Sequence, residues 1–143
     1  MNEFLIGNVK ISKDTTINDF KKRNVFEINE MDEVVMIDSS PNTLDFIGGK
    51  YWVEIFFYNG VLEEIKLYPF INGVSASECL PEEYEKICFD YNHKLLVDAY
   101  GKPNEEKENL IAYEDSYFTL SCFKYIDSRD FNPSGYIKIA ISN

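Results

Sequence analysis

The sequence is poor in the side chains that most catalytic and metal sites require. It holds one histidine, His93, and three cysteines, Cys79, Cys88 and Cys122, whose spacing fits neither a zinc site nor a disulfide framework. A glycine-rich phosphate-binding loop is also missing. Nucleophilic catalysis usually needs a base beside the nucleophile, and His93 lies off the apolar stripe of its predicted helix, where we expect solvent around it. We therefore expect no catalytic set, no metal and no cofactor, and we expect that the protein is not an enzyme.

Basic side chains are scarce as well. The 14 Lys and Arg residues face 25 Asp and Glu residues, which gives a net charge of -11. The only basic run is Lys21-Lys22-Arg23. Because nucleic acids and anionic membranes bind clustered Lys and Arg, we expect neither as a direct partner. A basic protein is favoured, since opposite electric fields speed encounter; the alternative is that the acidity only keeps the protein soluble.

Long apolar runs are also missing. No stretch approaches the roughly 20 apolar residues that span a bilayer, and the first residues lack the basic segment and apolar run of a signal peptide. An odd number of cysteines argues against a secreted disulfide scaffold. We therefore expect a cytoplasmic protein. A chain of 143 residues is typical of a single domain, residues 1–143, that is large enough to bury a core.

Aromatic residues, in contrast, make up 15% of the chain and mark several strands. Residues 51–58 and 61–68 are rich in β-forming side chains. Between them Asn59-Gly60 supplies the positive φ angles of a type I′ turn, which predicts a β-hairpin. Further strand patterns lie at residues 25–28, 33–38, 43–47, 110–114, 117–126 and 136–142.

Two helices accompany these strands. A short one follows the N-cap residues Asp14-Thr15-Thr16, and the main one begins at Pro81 and ends before Gly101, with Pro103 beyond it. The expected apolar stripe of the main helix is Tyr84, Ile87, Cys88, Tyr91, Leu95 and Ala99. The order helix, strands, helix, strands predicts an α+β fold, with a mainly antiparallel sheet and two helices packed on one face.

The face of the sheet turned away from the helices is the most informative feature of this arrangement. Strict alternation places one set of hairpin side chains in the core: Tyr51, Val53, Ile55, Phe57 and Leu62. Because the two-residue turn pairs Tyr58 with Val61, it places the other set on the opposite face: Trp52, Glu54, Phe56, Tyr58, Glu63, Ile65 and Leu67. The last two strands add Tyr117, Phe123, Tyr125, Tyr136 and Lys138 to that face.

This opposite face mixes aromatic, hydroxyl and acidic side chains. Aromatic anchors bury much area at low entropic cost and hydrogen-bond at their tips, and surrounding acids suit a basic partner. We predict a partner-binding site formed by Trp52, Glu54, Phe56, Tyr58, Glu63, Tyr117, Phe123, Tyr125 and Tyr136. The alternatives are that the chain covers this face itself, that the protein binds a small molecule or peptide, that a second copy forms a homodimer here, or that carboxylates such as Glu54 and Glu63 perform acid–base chemistry, for which no motif exists.

The combination of these features resembles the small acidic immunity proteins of bacterial toxin–immunity systems. Those proteins are cytoplasmic and often rich in aromatic residues, and they block a cognate toxin by covering its active site. The resemblance extends over the whole chain as a general type, without a diagnostic motif. It implies a cytoplasmic inhibitor that binds a basic toxin domain, such as a nuclease.

The layout also resembles tandem-repeat inhibitor folds, such as the β-lactamase inhibitor protein and the outer-membrane assembly lipoproteins of the BamE type. In those folds a helix ending in an aromatic-Gly-x-Pro turn leads into a meander of strands, as Tyr100-Gly101-Lys102-Pro103 does here. The order of elements therefore allows two tandem α-β-β-β units, residues 1–70 and 78–143. This chain lacks the signal peptide, lipobox and disulfides of those proteins, so a periplasmic role does not carry over.

Overall fold

The computed structural model describes residues 4–124 and 135–142. The strands are β1 (Phe4–Ile6), β2 (Val9–Ile11), β3 (Glu27–Met31), β4 (Val34–Asp38), β5 (Leu44–Phe46), β6 (Gly49–Tyr58), β7 (Val61–Phe70), β8 (Glu105–Lys107), β9 (Leu110–Glu114), β10 (Phe118–Phe123) and β11 (Ile137–Ile141). The helices are α1 (Asn18–Lys21) and α2 (Pro81–Tyr100), with a short 3-10 helix at Ala76–Glu78. Within the described residues, no helix has the length and apolar character that crossing a membrane requires.

One antiparallel sheet dominates the fold. Its strand order is β3-β4-β6-β7-β11-β10-β9-β8, and β5 pairs with the start of β6. The β1–β2 hairpin and both helices lie against one face of this sheet. The ring of Phe4 in β1 contacts that of Phe118, and the ring of Phe20 in α1 contacts that of Phe57. The helix α2 is hydrogen-bonded to Tyr51 of the sheet through Asn92. The predicted α+β class is therefore confirmed.

Each half of the sheet follows its own helix. The helix α1 precedes β3, β4, β6 and β7, whereas α2 precedes β8, β9, β10 and β11. Both sets run as antiparallel meanders, and their last strands, β7 and β11, pair at the centre of the sheet. Each half has four strands in this order, one more than the α-β-β-β unit that the order of elements allows. In the second half the additional strand is β8, which is short and charged, as natural edge strands often are.

The core fills the space between the sheet and the layer formed by α1, α2 and the β1–β2 hairpin. A glycine at the start of β6 allows α2 to approach closely. A β-carbon at Gly49 would lie 2.8 Å from Leu95 Cδ1 and 2.9 Å from Tyr91 Oη. A side chain at this position would require the side chains of Leu95 and Tyr91 to shift.

The buried face of α2 differs from the predicted apolar stripe. Its buried residues are Glu85, Cys88, Phe89, Asn92 and Leu96, whereas Tyr84, Ile87, Tyr91 and Leu95 are half-buried and Ala99 is exposed. The buried face is displaced by about one residue along the helix, and it includes Asn92, whose amide is hydrogen-bonded inside the protein. Its Oδ1 accepts from Tyr51 Oη at 2.8 Å, and its Nδ2 donates to the Gly135 carbonyl at 2.5 Å. A satisfied amide is tolerated in a core, and a stripe built only from apolar residues misses it.

Candidate partner-binding site

A β-bulge in the central hairpin decides which side chains share a face. Phe57 pairs with Leu62, but Phe56 pairs with Glu64, so Glu63 is an extra residue in β7. The prediction that Ile65 and Leu67 lie on the open face is therefore wrong. Both are fully buried, opposite Ile55 and Val53.

The bulge has a clear physical reason. Without it, strict alternation after Leu62 would expose two large aliphatic side chains and bury two charged ones. One additional residue shifts the alternation so that Ile65 and Leu67 return to the core. As a result Glu64, Lys66 and Tyr68 point to the open face, where they stand opposite Phe56, Glu54 and Trp52 respectively.

The first feature of the open face is a set of rings from β6, β7, β10 and the residue that precedes β11. We call Trp52, Tyr68, Tyr136 and Phe123 the aromatic row. Trp52 and Tyr68 are paired across β6 and β7. The ring centroids of Tyr68 and Tyr136 are 5.2 Å apart, and those of Tyr136 and Phe123 are 6.3 Å apart. Phe70 extends the row at one corner, with its centroid 5.4 Å from that of Trp52.

Charged side chains form a second row beside the rings. We call Asp38, Glu54, Lys66 and Lys138 the charged row, because they occupy paired positions on β4, β6, β7 and β11. Two acids thus lie next to each other on one side, and two lysines on the other. Glu27 continues the acidic end, since it pairs with Asp38 on β3.

A third row runs along the far side of the charged row. It consists of Met36, Phe56, Glu64 and Ala140. Glu64 Oε1 accepts from Lys138 Nζ at 3.1 Å. Lys66 Nζ lies 5.5 Å from the Phe56 ring centroid and 5.6 Å from that of Tyr136, which is a cation–π distance. Both lysines of the charged row therefore have partners within the face.

The acidic end of the charged row is electrostatically unbalanced. Neither Asp38 nor Glu54 forms an ion pair with a residue of the described chain. Burial raises the pKa of the Glu54 carboxyl, and the nearby charge of Asp38 raises it further, although Lys66 acts in the opposite direction. Burial, and then the charge of Glu54, also raises the pKa of the Tyr68 phenol, which therefore remains a hydrogen-bond donor at neutral pH.

The two faces of the sheet differ in burial. On β6, the side chains that face α2 are buried, whereas Trp52, Glu54 and Phe56 are half-buried and Tyr58 is exposed. On β7 and β11, Glu64, Lys66, Tyr68 and Lys138 are also half-buried. The rings of the aromatic row therefore retain surface for contact with another molecule.

The predicted site residues do not all fall together. Trp52, Glu54, Phe56, Phe123 and Tyr136 lie on the open face. Tyr58 is exposed at the tip of the hairpin, and Glu63 points to solvent on the bulge. Tyr117 packs partly against the core, with Lys13 Nζ 4.7 Å from its ring centroid. Tyr125 lies outside the described residues. Sequence reasoning missed Glu64, Lys66 and Tyr68, and only an apolar pattern that skips one residue after Leu62 could have indicated them.

The polar groups proposed for other chemistry lie apart from one another. Glu54 stands opposite Lys66 and not opposite Glu63, so these two glutamates do not form a pair across the hairpin. His93 is half-buried, with its Nε2 2.8 Å from Glu106 Oε1. Burial raises the pKa of Cys88 to about 11 and that of Cys122 to about 12, so both remain thiols at neutral pH. No group of three or more metal-ligating side chains occurs in the described part of the chain.

Concave sites occur elsewhere on the molecule. Cavities of about 240 and 320 Å³ flank Arg23 beside the β1–β2 hairpin, and a third of about 300 Å³ lies near Tyr100. None of them includes a residue of the aromatic or charged row. The open face is thus separate from these three cavities.

Comparison with known proteins identifies no relative: no family model, no curated protein and no solved structure matches this chain.

Proposed function

We propose that this chain is a cytoplasmic binding protein of the bacterial immunity type, which neutralises a basic toxin domain by covering its active site with the open face of the sheet. One observation carries the proposal: the rings of the aromatic row are half-buried on a face whose other side chains are mostly charged. The row consists of Trp52, Tyr68, Tyr136 and Phe123. In this proposal the protein acts by binding and not by catalysis.

The composition of the face supports a protein partner. Interfaces concentrate their binding energy in a few aromatic and arginine side chains near the centre, surrounded by polar contacts. Tyr68, on β7, and Tyr136, immediately before β11, occupy such a central position. Their rings offer apolar area, and their hydroxyl groups offer hydrogen bonds to the partner.

The charge supports a basic partner. The net charge of -11 attracts a cationic protein from a distance. At close range, Glu27, Asp38 and Glu54 form an acidic edge with paired positions on three adjacent strands. Like charges in paired positions on a sheet repel each other. A lysine or arginine of the partner that reaches this edge would reduce the repulsion between the carboxylates.

Co-purification with the product of the adjacent reading frame of the host genome would test the proposal, followed by affinity measurements on surface variants. We expect Trp52→Ala, Tyr68→Ala and Tyr136→Ala each to weaken binding by about tenfold or more, which corresponds to at least about 1.4 kcal/mol. Tyr84→Ala is the matched control, because this half-buried tyrosine lies on α2 in the other layer. Unchanged affinity in all three face variants, or an equal loss in the control, would refute the proposed surface.

A further inference from the structure

The spacing of the aromatic row indicates the shape of the element that fits it. Neighbouring strands are about 4.8 Å apart, and the ring-centroid separations of 5.2 and 6.3 Å show that the rings spread slightly beyond this. The pitch of an α-helix is about 5.4 Å, whereas side chains on one face of an extended strand repeat at about 6.7 Å. The mean of these two separations lies nearer to the helical pitch.

The size of the face fits the same element. The aromatic row spans four strands, which is roughly 14 Å and equals about ten residues of helix. Trp52, Tyr68 and Tyr136 each lie two residues from Glu54, Lys66 and Lys138, about 7 Å away, and Asp38 extends the charged row by one strand onto β4. A helix with side chains is about 10 Å wide, so a single helix lying over the rings also reaches the charged row with one flank.

The charged row gives such a helix a direction. It reads acid, acid, lysine, lysine from β4 to β11, as Asp38, Glu54, Lys66 and Lys138. A complementary flank must therefore carry cations at one end and anions at the other. A segment of uniformly positive charge would be attracted to Asp38 and Glu54 but repelled by the two lysines.

We propose that the open face receives an amphipathic α-helix of the partner, laid across the strands along the aromatic row, with basic side chains over Asp38 and Glu54 and acidic side chains over Lys66 and Lys138. This inference rests on the proposed function and specifies the element through which the partner binds. Leucine-like side chains at every third or fourth position of the helix would pack against the successive rings, as the apolar face of an amphipathic helix does in other complexes.

Three synthetic peptides would test the proposal. They have the same amino-acid composition except for a staple in two of them and two prolines in the third. The charge-ordered peptide has leucines at helical spacing and a polar flank with lysines in one half and glutamates in the other. The charge-mixed peptide alternates the same lysines and glutamates. Both are held helical by a hydrocarbon staple on the solvent side. The proline peptide has the charge-ordered sequence without the staple and with two central prolines, which break the helix.

Trp52 is the only tryptophan of the chain, so its emission reports directly on the row. We expect the charge-ordered peptide to shift this emission and to bind about tenfold more tightly than either of the others. Tyr68→Ala should weaken its binding by about tenfold, and Tyr84→Ala should leave it unchanged. Backbone amide shifts should be largest on β6, β7, β10 and β11.

Three results would overturn the proposal that the partner binds through a helix. These are equal binding of the proline peptide, equal binding of the charge-mixed peptide, and no binding of the charge-ordered peptide to these four strands. The proposed function fails separately. If the peptides do not bind but Trp52→Ala and Tyr136→Ala still weaken the natural partner, the face is the interface and only the helical shape is wrong. If neither the peptides nor the partner respond to these variants, both proposals fall.

Discussion

Tyr51 and Asn92 join the sheet to α2 through a hydrogen bond of 2.8 Å that lies wholly inside the core. Both residues are fully buried. If the hydroxyl is removed, the Asn92 Oδ1 atom loses its donor while remaining shielded from water. An unsatisfied buried acceptor costs about 1–3 kcal/mol.

The first prediction follows directly from this contact. Tyr51→Phe should lower the free energy of unfolding by about 1–3 kcal/mol, measured by urea denaturation. Tyr58→Phe removes the same atom from an exposed side chain at the end of β6 and should change it by less than about 0.5 kcal/mol. Equal stability of the two variants would mean that the Asn92 network does not hold α2 in place.

A second prediction concerns Gly135, which lies shortly before β11 and packs closely against α2. Gly135 has a φ of +96°, and a β-carbon there would lie 2.9 Å from the Glu85 carbonyl and 3.1 Å from Cys88 Cβ. Gly135→Ala should therefore suffer both backbone strain and a clash with α2, with a loss of about 2–4 kcal/mol. Gly73→Ala is the control, because Gly73 has a φ of +81° with no atom nearby. It should lose only the strain, about 1 kcal/mol. Similar losses in thermal unfolding would contradict the close packing.

The bulge supplies a third prediction. Deletion of Glu63 removes the extra residue and leaves Ile65, Lys66, Leu67 and Tyr68 on their present faces, so we expect a folded protein that loses less than about 2 kcal/mol. Deletion of Lys66 instead forces Ile65 or Leu67 out of the core. The loss of a buried aliphatic side chain costs about 1.5–3 kcal/mol before any strain is added. Comparable chemical denaturation of the two deletion variants would argue against the register that defines the open face.

Much of this fold is readable from the sequence because the signals are local. Asn59-Gly60 fixes the central hairpin, and Pro81 and Gly101 bound α2 closely. The faces of β7 were misassigned because one extra residue in a strand leaves no local mark while it inverts every later side chain. Asn92 was missed for a related reason. Its burial depends on Tyr51 and Gly135, which are distant in sequence, and no pattern within the helix reveals those partners.

Glu54 yields a prediction about pH. Burial, with a further contribution from Asp38, raises the pKa of its carboxyl above the ordinary value of 4.5. The folded state therefore holds the proton more tightly than the unfolded state, and stability is lost as the pH rises through the range between the two pKa values. Glu54→Gln removes this loss. We expect the variant to be more stable than the wild type at neutral pH, with a difference that disappears below about pH 4 in urea titrations.

The control for this change is Glu63→Gln, which removes one negative charge at the exposed bulge. It separates the local effect at Glu54 from a general relief of the net charge of -11. We expect a smaller gain in stability at neutral pH for Glu63→Gln. An equal gain in both variants would assign the effect to the overall charge and not to the acidic end of the charged row.

We propose that the aromatic row is open to solvent on the free monomer and is covered by a partner in the complex. Acrylamide quenching of Trp52 emission measures this directly, since no other tryptophan contributes. We expect that Trp52 of the free protein is quenched, that quenching stays constant from micromolar to near-millimolar protein concentration, and that the bound partner abolishes it. An unquenched Trp52 in the dilute free protein would mean that the chain covers its own rings, and protection that grows with concentration would mean that a second copy does so. Either result would contradict the account.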